Sequence, residues 1–297
     1  MAPSTVPAVH HRVPTSSLAS QRARPDSVKS GPQRIVCLTE EPTEFLCALG
    51  ESDRIVGISA YTVRPAHIRD EKPIVSAFIN GSVSKIAALK PDLVIGFSDI
   101  QADLAQKLIK AHLPVLIFNQ RSVDEIIDML RTLGRIVDAA DKAEALIGQY
   151  RANLDQARAR TATLKRRPRV YFEEWDEPMI SGIHWVSELI EIAGGVDPFA
   201  AQARGKGAVE RQLQNDAVID ARPDIILASW CGKPVDISSI SARMGYDVLP
   251  AVQQEHIYEL DPAIILQPGP AALTAGLTAI CDIIHRWADE QDDHAQT

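Results

Sequence analysis

A repeated segment constrains the fold of this chain more than any other feature. Residues 86–95 read IAALKPDLVI and residues 218–227 read VIDARPDIIL; in each, a helix end passes through a basic residue and Pro-Asp into a short apolar run. The turns at Pro91 and Pro223 therefore correspond. The openings of the two halves also match, RIV at residues 34–36 against RVY at 169–171, and the helical stretch after each closes on glycine, at Gly50 and at Gly194-Gly195. Around both repeats, short apolar runs (RIVCL, PDLVIGF and PVLIF, then RVYFEEW, PDIILASW and HIYEL) alternate with helical stretches. That alternation is the pattern of a parallel sheet covered by helices. The predicted fold class is α/β, with two doubly wound lobes.

Between the halves, residues 122–167 contain no proline, and apolar residues recur every three or four positions. The spacing predicts helix throughout with a break near Asp138, and residues 141–166 would span ~39 Å at 1.5 Å per residue. The expected organisation is a disordered leader over 1–33, an N-terminal lobe over 34–138, a connecting helix over 139–167, and a C-terminal lobe with a terminal helix over 168–297. A single helical link is stiffer than paired extended strands, so closure on a ligand should be small.

The 297 residues are 45% apolar and 24% charged, and no run approaches the ~20 apolar residues that a membrane span needs. A net charge of −8 with scattered Lys and Arg offers no footprint for a phosphate backbone, so no nucleic-acid partner is expected. Cys37, Cys47, Cys231 and Cys281 have no metal-ligand spacing and read as free thiols. The leader is rich in Pro, Ser and Arg and has no apolar h-region, which predicts a cytoplasmic chain. Organelle import, or a periplasmic or membrane-associated place if the start lies elsewhere, are the alternatives. A monomer is expected.

In open α/β sheets, ligands bind at the carboxyl ends of the strands. Here those ends carry Glu40 and Glu41, Tyr61, Phe97, Glu173, Glu174 and Trp175, and Trp230, Cys231 and Gly232, with Phe78 and Trp185 in adjoining loops. Only 5% of the chain is aromatic, so this concentration points to a bulky, partly apolar ligand that stacks on rings. An acid/base role for Glu173 and Glu174, or a nucleophilic Cys231 served by His184 or His256, would make the chain an enzyme. No catalytic residue and no metal ligand is assigned. The Gly205-Lys206-Gly207 turn lacks the strand-turn-helix setting of a phosphate loop and reads as an interlobe loop. Arg64 and Arg204 are the guanidinium groups placed near the strand ends, few for an anionic siderophore.

These segments, with FEEWDEPMISGIHWVSELIEIAGGVD, ASWCGKP and ILQPGPAAL, resemble the helix-linked, two-lobed substrate-binding proteins of ABC importers for vitamin B12, iron-siderophores and haem, and are most similar to the cobalamin-binding branch. The resemblance implies a non-enzymatic binding protein for a corrinoid such as cobalamin. Tyr61, Phe78 and Phe97 would face the corrin from the first lobe and Glu174 and Trp175 from the second, with Trp185, Trp230, Cys231, Gly232 and Gln267 completing the set. It also implies an ABC permease as partner. Members that dock on one carry an acidic residue before the repeated helix of each lobe; Asp216 matches in the second lobe, whereas Ser84, followed by Lys85, stands in the first. A ferric siderophore or haem as ligand, and a cytosolic enzyme using Glu173, Glu174 and Cys231, remain the competing readings.

Overall fold

The computed structural model describes residues 30–294. Two sheets form. The first contains β1 (Ile35–Cys37), β2 (Ile55–Ser59), β3 (Ile74–Ala77), β4 (Asn80–Gly81), β5 (Leu93–Phe97) and β6 (Val115–Phe118), in the order β4-β3-β2-β1-β5-β6. All pairings are parallel except β3 with β4. The order reverses at β1, with β2 on one side and β5 on the other, which leaves a crevice beyond its carboxyl end. The second sheet contains β7 (Val170–Asp176), β8 (Met179–Ser181), β9 (Ile225–Ala228) and β10 (Ile257–Glu259), in the order β10-β9-β7-β8. Here β10, β9 and β7 are parallel and β8 is antiparallel. The short strands β3, β4 and β8 have no counterpart in the sequence reading; β4 and β8 are too brief to register as apolar runs, and both are folded back by hairpins.

The repeat has a structural cause. The Asp92 carboxylate accepts from the backbone N–H groups of Gln33 and Arg34 at 2.7 and 2.8 Å, and Asp224 accepts from that of Arg169 at 2.8 Å. Each Pro-Asp therefore fastens the first residues of the lobe's inner strand. Lys90 and Arg222, one residue before each proline, have φ of +49° and +46°, a left-handed conformation that ends the preceding helix.

Side-chain alternation along β1 and β7 divides the core into layers. Ile35 and Cys37 face one layer while Val36 and Leu38 face another, and Val170 and Phe172 are separated from Tyr171 in the same way. The first of these layers is continuous between lobes. It runs from Ile35 and Phe45 through Ile126, Leu130, Ile147 and Leu154 to Val170, Ile225 and Trp287. The helices of the first lobe include α1 (Glu40–Ala48), α2 (Val83–Ala88) and α3 (Ala102–Lys110). The crossing is made by α4 (Val123–Ile136) and α5 (Ala140–Thr161). Ser122 and Glu125 start α4 with a reciprocal capping box, and Asp138 at φ +58° makes the break expected there. The 22 residues of α5 extend ~33 Å, less than expected. Its last turn is captured when the Thr161 hydroxyl donates to the Ile192 carbonyl at 2.8 Å. The second lobe adds α6 (His184–Ile192), α7 (Asn215–Ala221) and the terminal α8 (Leu277–His294).

Both described ends of the chain lie at the amino ends of the strands. Ser30 and Pro32 accept from Arg54, and Gly31, at φ +76°, lies so close to the Ile136 carbonyl that a Cβ would sit 2.2 Å from its oxygen. The far end of α8 is tied by Asp292 to Lys165 at 2.7 Å and by Glu290 to His256 at 3.5 Å, residues that precede β7 and β10.

Candidate functional site

A cavity of about 420 Å³ opens between the carboxyl ends of the two sheets. That size falls within the range of small-molecule pockets. The first lobe supplies Glu40 and Glu41 from the start of α1, Tyr61 after β2, Phe78 from the β3–β4 hairpin, Phe97 from β5 and Arg121 after β6. Trp185 from the first turn of α6 and Glu174 and Trp175 from β7 face them, with Arg211, Cys231 and Gln267.

Local backbone features aim these side chains. The pairing of β7 with β8 shifts register between Glu173 and Trp175, and such a bulge lets the neighbours Glu174 and Trp175 both reach the cavity instead of alternating away from it. Gln101, fully buried, accepts from the Phe97 N–H at 3.0 Å and donates to the Phe78 carbonyl at 2.6 Å, which holds both aromatic positions. Phe78 and Ser98 have φ of +50° and +69°; strain of this kind persists where surrounding contacts fix it. Gln101 was not legible in the sequence, because its partners are backbone groups of other segments.

The acidic side of the cavity is desolvated. Glu40 is pushed up to about 7 by burial, opposed by its own backbone amide and by Ser59. Burial and then the neighbouring Glu40 charge push Glu41 up to about 8. Thr39 donates to Glu41 Oε1 at 2.8 Å, but Oε2 is buried with no partner among the described residues. The Gly269 backbone seats against this residue, where a Cβ would lie 2.5 Å from that of Glu41. Cys231 is raised by burial and then by the charges of Glu40 and Glu174, one from each lobe.

The second pair of glutamates is tied up. Arg211 clamps Glu174 through Nη1 at 2.6 Å and Nη2 at 2.8 Å. Glu173 is fully buried and accepts from Tyr171 at 3.0 Å, Trp230 at 3.2 Å and both terminal nitrogens of Arg243. Lys233 sits over the rings of Trp175 and Trp230, 4.4 and 4.7 Å from their centroids, and pairs with Asp176 at 2.7 Å.

Of the residues expected in the site, Glu40, Glu41, Tyr61, Phe78, Phe97, Glu174, Trp175, Trp185, Cys231 and Gln267 line the cavity. Trp230 and Gly232 do not. Trp230 lies 2% exposed in the second lobe's own core, where its indole N–H is spent on Glu173, and Gly232 stands beyond the lining. Trp185 belongs to helix rather than loop, with its indole donating to the Ile265 carbonyl at 2.9 Å. Arg64 instead pairs with Glu44 at 3.0 Å, and neither it nor Arg204 lines the cavity. Arg121 and Arg211, which the sequence reading passed over, do. The parts of the enzyme reading do not assemble: Glu173 is walled in, and His184 and His256 lie against Glu188 and Glu290 and away from the lining. Among the described residues no three His, Cys, Asp or Glu side chains are grouped to hold a metal ion. Asp216 and Ser84 occupy the first turns of α7 and α2, both exposed and outside the cavity. The leader expected over residues 1–33 lies almost wholly outside the described residues.

Known proteins share this architecture. An uncharacterized ABC transporter substrate-binding lipoprotein of Bacillus subtilis is 26% identical over 265 residues, covering 87% of this chain and 82% of the relative. A vitamin B12-binding protein of Vibrio parahaemolyticus is 25% identical over 253 residues, covering 84% of this chain and 88% of the relative. Among solved structures, a periplasmic heme-binding protein from a Roseiflexus species is 27% identical with a TM-score of 0.71, covering 86% of this chain and 100% of its own. Lipoprotein and periplasmic relatives overturn the expectation of a cytoplasmic chain and point to an extracytoplasmic one. The missing h-region was a poor guide, since a stretch without an apolar run carries no information about compartment. The model of the periplasmic binding protein family matches residues 35–264, most of the chain, and the chain belongs to that family.

Proposed function

We propose that this chain captures a corrinoid of the cobalamin type in the cleft between its lobes and delivers it to an ABC permease. The observation that carries the reading is the placing of Tyr61, Phe78 and Phe97 opposite Trp175 and Trp185 around one cavity. Flat rings offer apolar area at low conformational cost to a macrocycle. Glu41, held largely neutral near pH 7, and Glu40, about half protonated there, can exchange hydrogen bonds with uncharged peripheral amides, where ionised carboxylates would only accept. Relatives described as vitamin B12-binding proteins support the same ligand. Asp216 is the proposed permease contact on the second lobe.

Haem is the second reading, favoured by Arg121 and Arg211 at the cavity and by Tyr61, 44% exposed, whose phenolate is a known type of iron ligand. Calorimetric titration with cyanocobalamin, cobinamide, haemin and a ferric hydroxamate decides. The corrinoid reading expects tight binding of the first two and a coloured complex. Tight binding of haemin alone, lost in Tyr61→Phe, would replace it.

A further inference from the structure

The charged side chains of the cavity are sorted by position. Glu40 and Glu41 follow β1, and Cys231, whose thiol feels the Glu40 charge, follows β9. Arg121 follows the edge strand β6, roughly 10 Å away given β5 between them. Arg211 lies beside the edge strand β8, next to the bridge between Ile180 and Gln212. Arg121 and Arg211 line the cavity from opposite lobes; burial lowers the Arg121 guanidinium, Asp99 opposes this, and the Arg211 charge adds to it. The carboxyl groups of Glu40 and Glu41 thus follow the inner strand β1, and both guanidinium groups stand at edge strands.

The edge-strand side carries an unmet donor. Arg211 is 4% exposed, and its Nη1 and Nη2 are engaged by Glu174 and the Ser181 carbonyl at 2.6 to 2.8 Å. Its Nε is buried with no hydrogen-bond partner among the described residues, although buried donors are nearly always paired. The Gly205-Lys206-Gly207 turn packs directly on this side chain, with a Cβ at Gly205 falling 3.1 Å from Arg211 Cγ, while Gly207 faces open space. Lys206 and Gly207 both line the cavity. Among the lining residues here Arg121, Arg211 and Lys206 oppose Asp99 and Glu174, an excess of one positive charge, while Glu210 lies behind the turn and accepts from the Lys206 backbone N–H at 3.1 Å.

We infer that this edge is a subsite for a single negative charge on the ligand, a phosphodiester or a carboxylate, received by Arg121 and Lys206 and reached by the buried Arg211 Nε once the ligand displaces the turn packed over it. The inference rests on the ligand reading above and deepens it. A corrinoid that bears a nucleotide loop carries one phosphodiester and one that lacks the loop does not, so the subsite discriminates between them. A haem would place a propionate there instead.

Titration of the full chain with cyanocobalamin and with dicyanocobinamide tests this, alongside haemin and haemin dimethyl ester. The expected result is at least a tenfold preference for cyanocobalamin, weakening as salt rises. Arg121→Gln and Arg211→Lys, the latter keeping charge near Glu174 but removing the Nε donor, should each bring the ratio toward one. Equal affinity of the parent for both corrinoids would overturn the subsite while leaving the corrinoid reading intact. If no corrinoid binds, that reading fails and the haemin pair decides: a tenfold loss on esterification supports the subsite, and no loss overturns it. Binding of none of the four overturns both.

Discussion

Each lobe sets two adjacent glutamates at the carboxyl end of an inner strand, and the two pairs live in opposite electrostatic surroundings. Glu40 and Glu41 in the first lobe are buried with no cation in contact among the described residues, and their pKa values rise toward 7 and 8. Glu173 and Glu174 in the second are each met by a guanidinium, from Arg243 and Arg211. The dipeptide is the same. What differs is whether later segments of chain bring an arginine to it, so the second pair is fixed as framework and the first is proposed to offer hydrogen bonds to the ligand.

The sharpest way to break this contrast is to remove the framework. Arg243→Ala would strand a buried Glu173 carboxylate, and loss of one partner of a buried pair costs about 3 to 5 kcal/mol. Trp230→Ala should fall in the same range, as large-to-small changes in a core do, and should alter stability rather than affinity per folded molecule. Urea unfolding measures both; parent-like stability of Arg243→Ala would mean that Arg243 is not what holds Glu173 in the core.

The first-lobe pair predicts a pH dependence of opposite character. The folded chain holds the Glu41 proton to about 8 against an ordinary 4.5, so the stability this contributes is fully present below about 4.5 and is lost as pH rises through about 8. Glu41→Gln mimics the protonated form and should stabilise the protein at pH 8 by an amount on the order of 3 kcal/mol that fades toward pH 5. Thermal unfolding at the two pH values reads the difference, and a stabilisation independent of pH would show that the charge is not what is being relieved.

A smaller effect is expected where the lobes meet the ligand. Trp175→Ala removes one cavity wall, a loss of about 1.5 to 3 kcal/mol or roughly 10- to 150-fold in cyanocobalamin affinity. Unchanged affinity would remove Trp175 from the site. The smallest change follows from Lys233→Met, which takes the ammonium from between Trp175 and Trp230 and should cost about 0.5 to 1 kcal/mol of stability. A cost of several kcal/mol would show that Lys233 and Asp176 anchor the loop themselves.

The two α/β lobes and the helical crossing were legible because parallel strands buried on both faces read as plain apolar runs, and helices as three- and four-residue spacing. The Pro-Asp repeat pointed to corresponding turns, but the backbone anchoring by Asp92 and Asp224 shows only once Gln33 and Arg169 stand beside them. Most expected cavity residues could be picked out as aromatics or acids just beyond a strand. Trp230 misled, because a residue past a strand end can turn into the lobe's own core as readily as out of it. Arg121 and Arg211 escaped notice for the reverse reason: one follows an edge strand after the polar residues Asn119 and Gln120, and the other lies in an irregular stretch whose approach to β8 no local pattern announces.

The position of the two described ends bears on how the molecule can be handled. Ser30 and the far turn of α8 both lie at the amino ends of the strands, and the cavity lies at the carboxyl ends. A surface linker or a fluorescent reporter attached at Ser30 or at the far turn of α8 would therefore project from the face opposite the mouth. An immobilised chain would present its cleft outward, and a biosensor built this way would need no circular permutation to keep the ligand's path clear.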